Sequence, residues 1–369
     1  MLNLRRALAA AAFVIFVLTL ITRSHRGHGP DGARLPVAKD SVDAMTAEYK
    51  YNHAGGNKAK LPVVQKPMMD MSRMSTYEKL AYQYPYDMEA KFPAYIWQTW
   101  RYTPSDGEFD FRPHEASWTI HHPGFVHEVV TDAMAVTVLR LFYAGIPEIL
   151  EAYHALPLPV LKADFFRYLI LYARGGIYSD IDTYAIRSAV EWVPSNIPRE
   201  TVGLVIGIEA DPDREDWAEW YSRRIQFCQW TIQSKPGHPV LRDIIHRITN
   251  ETLTLKRSGQ LADLDYRKVV DITGPAKWTD TIMDYFNDGR FFDMKNSKIR
   301  IDYKQFTGMT SSKKVGDVVI LPITSFSPGV GQMGAGDIDD PMAFVKHDFE
   351  GTWKPESERH MGEEIEFEE

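Results

Sequence analysis

The sequence predicts an α/β fold built on a central, mainly parallel sheet, preceded by an N-terminal membrane anchor and a stem. Three observations carry this expectation. Short β-rich runs alternate with helix-length stretches from about residue 92 onward, as in strands joined by crossover helices. A single unbroken apolar run lies close to the N-terminus. The 369 residues are 44% apolar and 12% aromatic, which supplies a sizeable core and excludes wholesale disorder.

The apolar run is Ala7 to Ile21 (ALAAAAFVIFVLTLI), preceded by Arg5 and Arg6. A cleaved signal peptide would end in small residues, but this run ends in Leu20 and Ile21, then Thr22 and Arg23. It is therefore expected to stay as a signal anchor, somewhat shorter than the roughly 20 residues of an ordinary span. Residues 1–22 then form a cytosolic tip and anchor, and 23–89 a flexible lumenal stem rich in Gly, Pro, His, Lys and Met. Residues 90–358 form the folded domain. The end of the chain, 359–369, is an acidic tail with five glutamates after Gly362 and is expected to be disordered.

Within the domain, KFPAYIWQTW (Lys91–Trp100) reads as a buried first strand. Further strands are expected at Phe125–Val130, Ile177–Asp182, Val202–Ile208 and Val318–Leu321. Helices are expected at Met134–Tyr143, Val160–Arg174, Trp217–Gln233, Val240–Leu255 and Trp278–Asn287. The adjacent His121 and His122 cannot share one face of a strand or helix and read as structural.

The formal net charge of -8, from 42 basic and 50 acidic residues, argues against a nucleic-acid partner, which needs a basic face. The single cysteine, Cys228, excludes an intrachain disulfide and a cysteine-based zinc site.

The most informative stretch is Leu161–Ala185, LKADFFRYLILYARGGIYSDIDTYA. Residues 162–174 are apolar nearly all round, as in a buried helix, and Gly175–Gly176 stop it. IYSDID follows with a period of two, so Tyr178, Asp180 and Asp182 share a face at the end of a strand. Ligands bind at that end of α/β sheets. Two neighbouring carboxylates repel unless a cation lies between them, and their oxygens suit Mn²⁺ or Mg²⁺. A lone Asp-x-Asp is usually explained by a solvated strand end. Asp164 and Arg167 lie three apart on the buried helix, where they read either as a structural ion pair or as part of a ligand site.

The run DxxRYxxLxxxGGxYxDxD resembles the signature of glycosyltransferases with a DXD sugar-binding region, the family-32 group. YIWQTW (Tyr95–Trp100), GIEADPDREDWAEWYSRRIQFCQWTIQSKPGHP and VKHDFEGTWK (Val345–Lys354) extend the resemblance to the fungal initiation-specific α-1,6-mannosyltransferases of the Golgi. The resemblance covers about Phe92 to Lys354. It implies a GT-A-like catalytic domain, with Asp180 and Asp182 as the DXD pair and Asp182 the better candidate for direct metal contact. Trp97, Gln98, Asp164, Arg167, Tyr178 and Trp353 would serve donor binding, although Trp97 reads equally well as core. His347 and Trp353 match an H-x-x-x-x-[ST]-W element, and His347 would be a further metal ligand. Thr273-Gly274-Pro275 resembles a loop near the reaction centre, and is equally readable as a plain turn.

Glu209, Asp211 and Asp213 form a second acidic cluster. Pro212 between the aspartates points to a turn there, and Glu209 and Asp211 are read as acceptor-side residues rather than a rival metal site. The implied donor is GDP-mannose, the implied acceptor a high-mannose N-glycan on a glycoprotein, and the implied partners include subunits of a mannosyltransferase complex. The implied location is the Golgi membrane as a single-pass type II protein, and the sequon Asn250-Glu251-Thr252 agrees with a lumenal domain. Three other readings stay open on sequence: a mannan-elongating paralogue, a metal-dependent phosphohydrolase, and a non-catalytic glycan-binding subunit.

Overall fold

The computed structural model describes residues 70–212, 214–219, 221–264, 268–294 and 300–351. The expected anchor, most of the expected stem, Trp353 and the acidic tail lie outside the described residues. No described helix is long and apolar enough to cross a membrane.

Helix α1 (Thr76–Gln83) opens the described region, begun by a reciprocal capping box between Ser75 and Glu78. Strand β1 (Tyr95–Thr99) follows, then α2 (Arg112–His121), β2 (Val126–Val130) and α3 (Asp132–Phe142), whose first turn is capped by Thr131. Helices α4 (Pro147–Ala155) and α5 (Pro159–Arg174) lead into β3 (Gly176–Ser179) and the short β4 (Thr183–Ala185). Next come β5 (Leu204–Ala210), β6 (Gln226–Phe227), β7 (Thr231–Ser234) and the long α6 (Pro239–Arg257). The chain ends through α7 (Val269–Ile272), α8 (Pro275–Phe286), β8 (Lys313–Val315), β9 (Val318–Leu321) and β10 (Val345–His347).

The main sheet runs β2-β1-β3-β7-β5-β9-β8, with β6 paired to β5. β1 lies parallel between β2 and β3, and β5 is parallel to β9. β7 is antiparallel to both β3 and β5, so β1, β2, β3, β5 and β9 all run one way. The mainly parallel α/β expectation holds in that sense. Side chains alternate between two cores. Leu204, Ile206, Ile208, Val318 and Ile320 face the core that includes buried residues of α5, α6 and α8, while Val205, Val319 and Leu321 face Trp118, Trp192 and Phe326.

Two expectations are corrected. Trp217–Gln233 is not a helix: a single 3₁₀ turn at Trp217–Glu219 precedes β6 and β7. All four residues of β7 are buried, because the strand is inserted between two others and covered on both faces. Burial of that kind removes the alternation that marks a strand, and Phe227, Trp230, Thr231 and Ile232 favour extended backbone once partners are available. The second correction concerns Ile177–Asp182. The strand stops at Ser179, and a turn follows in which Thr183 N donates to Asp180 O at 3.2 Å.

Gly175 and Gly176 both have left-handed φ, 64° and 97°. A Cβ at Gly175 would lie 2.7 Å from Pro236 Cδ, and one at Gly176 would lie 2.6 Å from Tyr95 O. The pair ends α5 and lets β3 enter the sheet beside β1 at once. His122 is structural as expected: it is buried, stacks on Trp118, and its Nε2 accepts from Ala189 N at 2.9 Å.

Candidate active site

The site forms where β1, β3 and β5 end, and α5 supplies its charged floor. Asp164 and Arg167 are 1% and 3% exposed. Arg167 Nη2 lies 2.9 Å from Asp164 Oδ1 and 3.0 Å from Asp180 Oδ1, so one guanidinium joins the helix to the turn after β3. Burial works against the Arg167 charge, but Asp180 and Asp164 more than offset this and raise its pKa. Asp164 also accepts from Gln229 Nε2 at 3.3 Å and from Thr273 Oγ1 at 2.8 Å. Both its oxygens are thus held by protein groups, and its immediate effect is to orient Arg167. Burial raises the Asp164 pKa, with Arg167 opposing. Nε and Nη1 of Arg167 are buried with no hydrogen-bond partner.

The DXD turn is held from several sides. Tyr178 OH donates to Asp180 Oδ1 at 2.9 Å and accepts from Thr99 Oγ1 at 3.0 Å. Gln98 Nε2 donates to Asp180 O at 3.1 Å, while its Oε1 accepts from His127 Nε2 at 2.8 Å. Asp180 N donates to Trp230 O. Trp97 packs against the larger core and donates through Nε1 to Gly175 O at 3.0 Å, pinning the glycine turn. Of the residues expected near the donor, Trp97, Gln98 and Tyr178 therefore act on the backbone or side chain that presents Asp180.

Asp182 meets the C-terminal strand. β10 pairs with β4 antiparallel, His347 opposite Thr183, and this sets His347 Nε2 3.5 Å from Asp182 Oδ1. Trp230 supports the imidazole, with ring centroids 4.8 Å apart. Asp180, Asp182 and His347 offer ligand atoms all within 4.8 Å of one another, the one such group of three among the described residues. Two carboxylates and an imidazole suit a divalent cation of the Mn²⁺ or Mg²⁺ kind. Burial pushes the Asp180 pKa up to about 7; Arg167 opposes the rise and the Asp182 charge adds to it. His347 is lowered by burial, with Asp182 opposing, which favours the neutral ring that a metal needs. Its Nδ1 accepts from Phe349 N at 2.9 Å. In the neutral ring that contact leaves the proton on Nε2, so ligation through Nε2 requires the Phe349 contact to be given up. The two carboxylates carry no such requirement.

The second acidic cluster does not join this group. Asp211 accepts from Arg224 Nη1 at 3.0 Å, Thr307 Oγ1 at 3.1 Å and Gly308 N at 2.7 Å, and so ties down the turn after Tyr303. Glu209 lies at the end of β5, and burial pushes its pKa up to about 8. Gln229 and Trp230 were not anticipated. Their sequence signal, the strand-favouring FCQWTIQS, was absorbed into the expected helix. Thr273 does reach the site, through Asp164.

Known proteins resemble this chain. The family described as "Glycosyltransferase sugar-binding region containing DXD motif" matches residues 111–201. An initiation-specific alpha-1,6-mannosyltransferase of Candida albicans is 41% identical over 365 residues, covering 95% of this chain and 92% of that protein. One from Schizosaccharomyces pombe is 44% identical over 279 residues, covering 75% and 67%. Among solved structures, PaToxG glycosyltransferase aligns with 57% of this chain and 74% of its own at 15% identity. Its TM-score is 0.35, too remote a likeness to carry an argument.

Proposed function

We infer the reaction from one premise: this chain belongs to the initiation-specific α-1,6-mannosyltransferase family of glycosyltransferases with a DXD sugar-binding region. It is a glycosyltransferase that moves mannose from GDP-mannose to the core of an N-linked oligosaccharide in α-1,6 linkage, the step that begins the outer chain. The observation that carries this reading is the convergence of Asp180, Asp182 and His347 beside Arg167 at the ends of the parallel strands. The transferred mannose and the linkage draw their support from the names of the relatives, and GDP as the carrier from the sequence resemblance alone.

A divalent ion, Mn²⁺ or Mg²⁺, bound by Asp180 and Asp182 would supply Lewis acidity for a diphosphate leaving group. The chain's own groups do the rest. Arg167 adds a fixed, buried positive charge whose Nε and Nη1 have no hydrogen-bond partner within the protein. Asp164, Tyr178 and Gln98 hold that charge and the DXD turn in place, so little reorganisation is needed when the donor arrives. GDP-mannose is an α-glycoside, so an α product means retention. The acceptor hydroxyl attacks on the face the phosphate leaves, the C1–O bond to GDP breaks, and the departing phosphate oxygen takes the hydroxyl proton. GDP and the extended glycan are the products.

The apolar run Ala7–Ile21 supports a single-pass, type II protein of the Golgi membrane with the domain in the lumen. Asn250 of the sequon is exposed on α6, which accords with that placement. The test is to incubate the full-length chain with GDP-mannose, Mn²⁺ and a high-mannose N-glycan, with and without EDTA. A metal-dependent gain of one α-1,6-linked hexose is the expected product. Release of phosphate or nucleotide with no glycosylated product would instead mark a hydrolase.

A further inference from the structure

Strand β5 carries Glu209 near the Asp164–Arg167 floor. In the pairing of β5 with β6, Ile208 faces Phe227 and Ala210 faces Gln226, so Glu209 is the extra residue of a β-bulge. Bulges next to active sites re-aim a side chain, and this one re-aims a carboxyl at the end of a buried strand. Gln226 donates a hydrogen bond to that carboxyl, while Oε2 is buried and has no hydrogen-bond partner. The carbonyl oxygen of Gln226's own amide, Oε1, is likewise buried and unpartnered. Glu209 forms no ion pair among the described residues, yet it lies near enough to Arg167 to feel its charge.

Unused buried polar atoms are uncommon, and each calls for an explanation. Here they come in complementary kinds. Glu209 Oε2 and Gln226 Oε1 are oxygens without a partner, whereas Arg167 Nε and Nη1 are donors without an acceptor. A bare phosphate would satisfy only the donors. A ligand rich in hydroxyl groups satisfies both, since each hydroxyl donates one hydrogen bond and accepts others.

On the transferase reading above, we propose that Glu209 is a further catalytic residue: its free carboxyl oxygen takes a hydroxyl of the transferred hexose. Gln226 holds the carboxyl in place and adds a second acceptor. The pair thereby selects the hexose by its hydroxyl pattern, because a sugar that leaves buried acceptors unpaired is rejected.

The test uses the full-length wild-type chain with Glu209→Gln and Glu209→Ala. Three quantities are read: GDP-mannose hydrolysis without acceptor, transfer to a high-mannose glycan, and Mn²⁺-dependent GDP affinity. The expected result for Glu209→Gln is a loss of about 10- to 100-fold in both hydrolysis and transfer, with GDP affinity unchanged. Unchanged hydrolysis in both variants overturns the proposal, whether transfer survives or is lost, since the carboxyl then does not touch the transferred sugar. Loss of GDP affinity in the conservative Glu209→Gln variant also overturns it and assigns the carboxyl a structural role. A wild-type chain that cleaves no sugar nucleotide fails at an earlier point, on the transferase reading itself.

Discussion

Arg167, in the middle of α5, reaches Asp180 in the turn after β3 with a nitrogen–oxygen separation of 3.0 Å. The contact joins the buried helix to the residue that presents the first carboxylate of the DXD pair. It also places a permanent cation beside a site that gathers negative charge.

Removing that cation is expected to harm the fold as well as the reaction. Arg167→Met leaves the buried Asp164 and the half-buried Asp180 without their shared partner, a change that costs about 3–5 kcal/mol. Urea denaturation checks this. The double variant Asp164→Asn with Arg167→Met is expected to regain part of the lost stability while staying inactive, because one buried charge is then gone.

Acid sensitivity is expected to pass through His127. Burial lowers its pKa to about 4, with the nearby His122 adding to the effect, against an ordinary value of 6.5. The unfolded chain therefore binds a proton that the folded chain refuses between those values. Stability is full above about pH 6.5 and is lost as pH falls toward 4, by up to about 3 kcal/mol from this group. His127 donates to Gln98, which in turn holds the Asp180 carbonyl, so activity is expected to fall in the same window. His127→Gln should flatten the stability slope between pH 6.5 and 4, which thermal melts across pH would reveal.

Far from the chemistry, Asp317 accepts from Tyr86 OH at 2.5 Å, Tyr285 OH at 2.8 Å and His238 Nε2 at 3.2 Å. These contacts, with the His238 charge, outweigh burial and hold its carboxyl well below the usual range. Asp317→Ala strands the buried donors of Tyr285 and His238 and the half-buried Tyr86 hydroxyl, and is expected to destabilise by about 3–5 kcal/mol. KM for the donor should not change in the fraction that remains folded. A changed KM with an unchanged melting temperature would contradict this division of labour.

Much of the site was legible in sequence because its parts are local. The buried helix, the two glycines and the DXD triplet follow one another within Leu161–Asp182, and each has its own periodicity or turn chemistry. Period-two alternation alone does not bring Asp180 and Asp182 together. A strand of period two ends at Ser179, and the pair is kept together by the turn that Thr183 closes on Asp180. Less legible were residues whose role depends on distant pairing. Gln229 and Trp230 precede a strand buried on both faces, where the pattern of polar and apolar residues carries no directional information. Asp164 was expected to contact a ligand, but sequence could not reveal that Gln229 and Thr273 already occupy its oxygens. The bulge at Glu209 depends on the register between β5 and β6, which no local pattern records.

Asp180 and Asp182 are expected to hold a divalent ion on which transfer depends. The most direct measurement is Mn²⁺ binding by calorimetry alongside transfer rate, on the full-length wild type, Asp182→Ala and His347→Ala. Asp182→Ala is expected to lose Mn²⁺ binding and about 100-fold or more in transfer rate together, with the melting temperature little changed. His347→Ala should lose less of both, since its Nε2 must first give up the proton that the Phe349 contact places there. Metal-dependent transfer at the wild-type rate by Asp182→Ala would contradict the account.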